Sequence, residues 1–300
     1  MAGGIGLNLK RLKIAIIGGD LRQIKLINLL IEEGMEVRVF GLNGIDFKDN
    51  VLVFDTLHQA LAGADMIIGP IPCSSDNTTL FSKYQDSPIN LENVFKHIPK
   101  GKLFMAGMIT PEIQKIARSY DFKIVDLLKR EELSILNAIP TAEGAIQCAM
   151  ENSEITIHGS RSLILGFGRC GKILAHILKG IGANLTVEAR KAEDLAYIKS
   201  YGYQPMDLSR LEEFIGEFDF IFNTIPSKIL DLEMLKKMKK DVLIIDLASK
   251  PGGVDYDGAK ELGLKAILAL GLPGKVAPKT AALIIRDTIF NIYSEMGVVK

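Results

Sequence analysis

The chain has 300 residues, and its 36 Lys and Arg residues balance 36 Asp and Glu residues, so the formal net charge is zero. This balance, and the lack of any basic run, argue against a nucleic-acid-binding protein. The sequence has no uncharged apolar stretch of about 18 residues and no secretory signal pattern. Cys73, Cys148 and Cys170 lack metal-ligand spacing, so we expect a cytoplasmic α/β protein with reduced thiols and no metal.

The first 128 residues alternate between predicted strands and helices. An apolar strand at Lys13–Ile17, an amphipathic helix at 21–33 and a strand at Glu36–Phe40 form a βαβ unit. Three further strands are predicted at Met66–Ile68, 102–106 and Lys123–Asp126. The alternation predicts a doubly wound parallel sheet of about five strands.

The next segment has a different pattern. Residues 131–139 predict a helix or an extended connection that ends at Pro140. Thr141 then fits the N-cap of a second helical run at 145–152. We interpret residues 137–153 as the crossing between two domains.

Three spaced glycines follow a short apolar strand at 163–165 and precede an apolar helical pattern at 172–179. The residues of this loop are Gly166, Phe167, Gly168, Arg169, Cys170 and Gly171. The pattern is typical of a dinucleotide-binding loop. Its first glycine permits the turn, the second lets the pyrophosphate approach the backbone, and the third lets the helix pack closely. The helix N-terminus then offers N–H groups to the phosphates. The alternative is a tight turn without a ligand.

The second strand of this domain indicates which dinucleotide is bound. Strand Asn184–Glu188 is followed by Arg190 and Lys191, where the adenine ribose of the cofactor is expected. An acidic residue here favours the 2′-hydroxyl of NAD, whereas an arginine accommodates the 2′-phosphate of NADP. Arg190 and Lys191 therefore predict NADP, and Glu188 leaves NAD as the alternative.

Later strands are predicted at 218–223, 242–246 and 265–269. Because ligands bind outside the carboxyl ends of parallel strands, the segments that follow should face the nicotinamide half of the cofactor. They are Thr224, Ile225, Pro226, Leu247, Ala248, Ser249 and the loop 270–278.

Residues 279–295 have the pattern of one long amphipathic helix. We expect it to cross back onto the first domain, although a place on the second sheet or a dimer contact would bury it equally well. The predicted architecture is α/β with two doubly wound parallel-sheet domains. The predicted domains are residues 1–138 with the helix at 279–300, and residues 139–278.

Two such domains predict a substrate site in the cleft between them. In the first domain, Arg22 is a candidate for gripping a substrate carboxylate, with a solvated first-turn residue as the alternative. Ser74 and Ser75 are candidate hydrogen-bonding residues, although they fit a turn or an N-cap equally well.

The crossing and the second domain add candidates for catalysis. Thr141 is a candidate substrate contact and Glu143 a candidate acid–base group, although helix capping explains both. Lys250 and Lys279 flank Gly-Pro-rich loops, and either lysine could orient a carboxylate. The four histidines are scattered, so the chemistry of a hydride transfer would come mainly from the cofactor.

Four separated motifs, at residues 14–23, 139–146, 166–171 and 271–281, resemble those of the dipicolinate synthase A family. The resemblance covers nearly the whole chain. More distantly, the layout is similar to that of the formate/glycerate and alanine dehydrogenase-like two-domain proteins.

The resemblance implies the last step of dipicolinate formation in the mother cell of a sporulating bacterium. The substrate would be 4-hydroxytetrahydrodipicolinate, from the lysine/diaminopimelate route, or its dehydrated form, dihydrodipicolinate. It also implies a second component, a flavoprotein of the dipicolinate synthase B type, and we expect a homo-oligomer. Two alternatives remain at this point: a dehydrogenase of another hydroxy or amino acid, and a nucleotide-binding scaffold for the flavoprotein.

Overall fold

The computed structural model describes residues 12–47, 50–249 and 251–296. The chain divides into two compact units. The first extends to Ser134 and takes up the chain again from Ala277 onward, and the second is the continuous segment Ile135–Val276.

The elements alternate along the chain in the way that the sequence predicts. The strands are β1 (Lys13–Ile17), β2 (Glu36–Phe40), β3 (Val51–Val53), β4 (Met66–Ile68), β5 (Thr79–Leu80), β6 (Ile89–Asn90), β7 (Leu103–Ala106), β8 (Lys123–Asp126), β9 (Arg161–Leu165), β10 (Asn184–Glu188), β11 (Gln204–Met206), β12 (Phe220–Asn223), β13 (Leu243–Asp246) and β14 (Lys265–Leu268). The helices are α1 (Leu21–Glu32), α2 (Leu57–Leu61), α3 (Leu91–His97), α4 (Pro111–Ala117), α5 (Glu131–Asn152), α6 (Arg169–Ile181), α7 (Ala192–Ser200), α8 (Leu211–Phe214), α9 (Leu232–Lys236), α10 (Tyr256–Glu261), α11 (Leu272–Val276) and α12 (Pro278–Glu295).

The first unit contains a parallel sheet in the order β3-β2-β1-β4-β7-β8. The strand order reverses between β1 and β4, so the carboxyl ends of these two strands form a topological switch point, where such sheets bind ligands. Strand β3 is not evident from the sequence, because it is short and carries exposed side chains at the sheet edge. The antiparallel pair β5–β6, inside the loop that follows β4, was not predicted either.

Helices cover both faces of this sheet. On one face, α1 and α12 pack together through apolar residues such as Ile27 and Ile289. On the other face, α2, α3 and α4 bury residues such as Leu61, Phe95 and Ile113. The expectation that the last helix returns to the first domain is therefore confirmed.

The second unit repeats the architecture, with a parallel sheet in the order β11-β10-β9-β12-β13-β14. Its central strand β9 leads into the glycine loop, and helices again bury apolar residues on both faces. The α/β class with two doubly wound sheets is confirmed. Strand β11 was missed because it is short, lies at the edge and contains Pro205, which cannot donate to a sheet ladder.

Helix α5 corrects the expected break at Pro140. The helix runs without interruption from Glu131 to Asn152, with Pro140 inside it. Thr141 is therefore not an N-cap, and its hydroxyl donates to the carbonyl oxygen of Asn137 at 2.8 Å. An interior proline costs a helix about 3 kcal/mol. Burial of apolar residues beyond it, such as Ala142, offsets this cost, because tertiary packing overrides local propensity.

Within the described residues, no helix is both long enough and apolar enough to cross a bilayer.

Candidate functional site

The glycine loop lies between the end of β9 and the start of α6. Gly166 has a φ of +94°, and a Cβ there would lie 2.6 Å from Thr224 Oγ1. A Cβ on Gly171 would lie 2.1 Å from the carbonyl oxygen of Gly166. At Gly168, by contrast, a Cβ would have no neighbour within 4 Å in the part of the chain that the structure describes. The first and third glycines are therefore required by packing, and the second leaves open space beside the backbone.

The N-terminus of α6 suits an anion. Its N-cap is Gly168, which has no side chain to bond the N–H groups of the first turn. Phe167 is buried, and the Lys172 ammonium lies 5.1 Å from the centroid of its ring. Arg169 is exposed in the first turn. Burial raises the pKa of the Cys170 thiol to about 11, so this group stays protonated at neutral pH.

At the end of β10, the acidic residue is buried and the basic residues that follow it are exposed. Glu188 is 1% exposed, and its Oε2 accepts a hydrogen bond from the Gly166 N–H at 3.1 Å. Its Oε1 is buried without a partner among the described residues. Arg190 and Lys191 are exposed, and the Lys191 ammonium lies 3.5 Å from Glu193. The basic side chains can therefore reach a ligand from solvent.

Burial of Glu188 predicts a dependence of stability on pH. Burial raises the pKa of this carboxyl, and the Gly166 hydrogen bond and the Arg190 charge only partly oppose that rise. The folded chain thus binds the proton more tightly than the unfolded chain. Stability should fall as pH rises from the unfolded pKa to the folded pKa, and the loss persists above it.

Glu188→Gln cannot ionise and is expected to lack this loss. The Tm of the variant minus the Tm of wild type should therefore be larger at pH 8 than at pH 4, by a few degrees. Thermal unfolding followed by circular dichroism at several pH values measures this difference. A Tm difference that stays constant or shrinks as pH rises would contradict a Glu188 carboxyl whose pKa is raised by burial.

Asp246 and Asn223 hold the loops that follow β13 and β12. The Asp246 carboxylate is fully buried and accepts four hydrogen bonds, at 2.7 to 3.0 Å. The donors are the Asn223 amide, the N–H groups of Ala248 and Gly253, and the Tyr256 hydroxyl. Burial and the bond to Asp246 raise the pKa of Tyr256.

The Asn223 side chain also bonds both backbone groups of Ile225, so one network fixes both loops. From the sequence, Asn223 and Asp246 were predicted only as the ends of strands. A polar residue that closes an apolar strand was the available signal.

Of the residues expected near the nicotinamide, Thr224 lies against the glycine loop. Thr224 donates through its N–H and its hydroxyl to the carbonyl oxygen of Leu165, at 2.9 and 2.8 Å, which places it against the glycine loop. Leu247 donates to the Asn223 carbonyl oxygen at 2.8 Å. Pro226 and Ser249 are exposed. Lys250 lies outside the described residues.

The segment 270–278, expected as a loop, contains helix α11 and the start of α12. Helix α11 packs on α5, since a Cβ on Gly144 would lie 2.9 Å from the Cβ of Leu272.

In the first unit, Arg22 is held at the carboxyl end of β1. It is 7% exposed and forms an ion pair with Asp20, whose Oδ2 lies 2.9 Å from Nη2. Nη2 also donates to the carbonyl oxygen of Ile71. Burial raises the pKa of Asp20, but the hydrogen bonds and the charge of Arg22 outweigh burial, and the net shift is downward. Nη1 has no hydrogen bond to the described residues, so this nitrogen is the one available to a ligand.

The loop after β4 contacts Arg22 through the carbonyl oxygen of Ile71, and its polar residues follow in the chain. Ser74 is buried, and its hydroxyl donates to Asp76 at 3.0 Å, whereas Ser75 is exposed. Backbone and side-chain hydrogen bonds from Thr79 hold the pKa of Asp76 below its usual range. Ser75 also lines a polar cavity of about 170 Å³ with the segment 79–89.

The remaining candidates are assigned to different units. Thr141 and Glu143 lie on α5 within the second unit, and Glu143 is exposed beside a shallow apolar pocket that includes Met150. Lys279 is exposed in the first turn of α12, within the first unit. The roles given to these residues remain predictions.

Two family models match the chain. One, described as the N-terminal domain of dipicolinate synthase A, matches residues 13–128. The other, described as D-isomer specific 2-hydroxyacid dehydrogenase, NAD binding domain, matches residues 140–252 and so includes the glycine loop.

Similar proteins agree with these matches. Dipicolinate synthase A of Bacillus subtilis (strain 168) is 35% identical over 287 residues, which are 95% of this chain and 97% of the relative. The crystal structure of dipicolinate synthase A from Bacillus halodurans has a TM-score of 0.87 at 32% identity, covering 96% of this chain and 99% of that one. Transhydrogenase from Sinorhizobium meliloti, with a TM-score of 0.70 at 15% identity and 94% of each chain covered, shares the fold.

Proposed function

Because the chain belongs to the dipicolinate synthase A family and is an NAD(P)-dependent oxidoreductase, we propose that it oxidises dihydrodipicolinate to dipicolinate with NADP. Dihydrodipicolinate arises from 4-hydroxytetrahydrodipicolinate by loss of water. Its oxidation removes a hydride and a proton and leaves an aromatic pyridine dicarboxylate. The reaction belongs to the cytoplasm of the mother cell in a sporulating bacterium.

The observation that carries this proposal is the glycine loop with its open side at Gly168. The absence of a neighbour within 4 Å of a Cβ there fits a phosphate that approaches the backbone. The exposed Arg190 and Lys191 fit a 2′-phosphate at the end of the next strand. These two features support NADP as the dinucleotide proposed for the second unit.

The chain's own residues would bind the dinucleotide, bind the substrate and accept the proton. The N–H groups at the start of α6 would hold the pyrophosphate, and Arg190 would hold the 2′-phosphate. When bound, the nicotinamide supplies the hydride acceptor. Within the first unit, the Arg22 Nη1 would bind a substrate carboxylate, aided by Ser74 and Ser75. Thr141, in the second unit, keeps its predicted role as a substrate contact. Glu143 and Lys279 are the candidates that accept the ring proton.

A product assay tests the reaction. The protein is incubated with 4-hydroxytetrahydrodipicolinate and NADP, and the ultraviolet absorbance of pyridine dicarboxylate is followed together with that of reduced cofactor. Equal yields of the two products are expected. Cofactor reduction with no pyridine dicarboxylate would point to another hydroxy or amino acid substrate. No turnover by this chain alone would point to a scaffold role.

Arg190→Ala tests the preference for NADP. Loss of a charged hydrogen bond to the 2′-phosphate is expected to weaken NADP binding about 10- to 100-fold and to leave NAD binding nearly unchanged. Titration calorimetry with both dinucleotides measures the two Kd values. Lys199→Ala, which removes an exposed positive charge from the same unit, serves as the control. Equal losses for NADP and NAD would contradict a 2′-phosphate contact.

Arg22→Lys tests the substrate side of the site. The variant keeps the positive charge beside Asp20 but has no Nη1, so KM for the dicarboxylate is expected to rise about tenfold. The Kd for NADP should not change. Steady-state kinetics and calorimetry give the two values. An unchanged KM would remove Arg22 from the substrate site.

The family name, dipicolinate synthase A, implies a second kind of component in the same enzyme. We propose that this partner is a flavoprotein of the dipicolinate synthase B type and that the chain also forms homo-oligomers. Sedimentation of the chain alone and with the purified flavoprotein tests both statements.

A further inference from the structure

The side chain of Glu188 is buried, and its two carboxyl oxygens have different surroundings. Oε2 accepts the Gly166 N–H at 3.1 Å, whereas Oε1 is enclosed and has no partner among the described residues. The residue closes β10, next to the central strand that leads into the glycine loop. Its sequence position is where an acidic residue is expected to hold the ribose of NAD.

The geometry does not suit a ribose contact. A ribose hydroxyl has to come within about 3.0 Å of a carboxylate oxygen to donate to it. Glu188 is only 1% exposed, Oε2 is already bonded, and Oε1 is shielded from solvent. Directly after the same strand, the side chains of Arg190 and Lys191 are exposed.

The Gly166 peptide is enclosed on several sides. Its N–H is bonded by Glu188, its carbonyl oxygen packs against Gly171, and the space where its Cβ would lie is filled by Thr224. Gly166 has a positive φ, so this peptide determines the direction in which the loop leaves β9. The acceptor on β10 therefore fixes the loop that holds the pyrophosphate.

We propose that Glu188 is a positioning residue that holds the Gly166 N–H and takes no part in the choice between NAD and NADP. That choice falls to Arg190. The charged groups that act on Glu188 are Arg190, which follows it on the chain, and Asp207, which follows β11. A Glu188 carboxyl that serves the loop affects both dinucleotides alike, because the pyrophosphate is common to them.

The test compares the Kd of NADP and of NAD for wild type, Glu188→Gln and Glu188→Ala by titration calorimetry. The glutamine oxygen still accepts the Gly166 N–H, so Glu188→Gln should keep both values within about threefold. Glu188→Ala leaves that N–H without an acceptor and should weaken both dinucleotides by the same factor, about tenfold. Hydrogen exchange at the Gly166 amide should accelerate in Glu188→Ala and not in Glu188→Gln.

A ribose contact predicts a different result. Loss of NAD binding with retained or improved NADP binding in either variant would overturn the inference, as would unchanged Kd values in Glu188→Ala. If Glu188→Ala does not fold, the ratio of the NAD and NADP Kd values in Glu188→Gln still tests the inference, because a ribose contact predicts that this ratio changes. The inference rests on the proposed dinucleotide site. Wild type that binds neither dinucleotide would contradict that proposal as well, whereas a changed ratio contradicts the inference alone.

Discussion

Gly168→Ala is expected to abolish dinucleotide binding while the protein stays folded. A Cβ at this position meets no atom of the described residues within 4 Å, so the folded state accommodates it. Alanine is a poorer N-cap than glycine, which should cost less than about 1 kcal/mol. The added methyl group would occupy the space through which the pyrophosphate approaches, so we expect affinity to fall more than about 100-fold.

Two other glycines on the same helix provide matched controls. Gly171→Ala places a Cβ 2.1 Å from the backbone oxygen of Gly166, and its fold should be destabilised by about 3 kcal/mol, at the upper end of overpacking costs. Gly180→Ala meets nothing within 4 Å and should be neutral or stabilising by up to about 1 kcal/mol, with normal binding. Calorimetry and thermal unfolding measure the three variants. NADP binding by Gly168→Ala at wild-type affinity would place the pyrophosphate elsewhere.

Asp246→Ala is expected to destabilise the protein by on the order of 4 kcal/mol. The substitution leaves four donors without their acceptor inside the second unit, and each such group costs about 1–3 kcal/mol before relaxation. Tyr256→Phe removes one of the four donors and should cost about 1 kcal/mol. Urea unfolding followed by circular dichroism gives both values.

Asp231→Ala is the control for this prediction. Asp231 is exposed and caps α9 by accepting one hydrogen bond from the Met234 N–H at 2.9 Å. Its loss should cost about 1 kcal/mol, as for other N-caps. Equal losses for Asp246→Ala and Asp231→Ala would mean that the two loops do not depend on the buried network.

The sequence pattern was sufficient to predict an element wherever all of its determinants lie in one short stretch of the chain. The glycine loop has its strand, its turn residues and its helix in sequence, and the packing at Gly166 and Gly171 gives the physical reason for two of its glycines. The βαβ unit at β1, α1 and β2 is equally local. The amphipathic stripe of α12 predicted burial, whereas the sequence left the second sheet or a dimer contact open beside the expected return to the first unit.

Contacts between distant residues account for what the sequence analysis missed. Pro140 lies inside α5 because residues on both sides of it are buried, a condition that no local pattern reveals. The bond from Arg22 to Ile71 and the bond from Tyr256 to Asp246 depend on how loops meet at the ends of strands. Sequence suggested that Glu188 competes with Arg190 for the ribose, whereas burial separates the two residues.

The return of α12 to the first unit affects the order in which a nascent chain can fold. The second unit is one continuous segment and is synthesised completely before α12. The first unit is synthesised earlier but lacks the partner of α1 until Ile285 and Ile289 emerge. Domains generally fold in the order of synthesis. Here the part made first is completed last, because α12 is synthesised after the whole second unit.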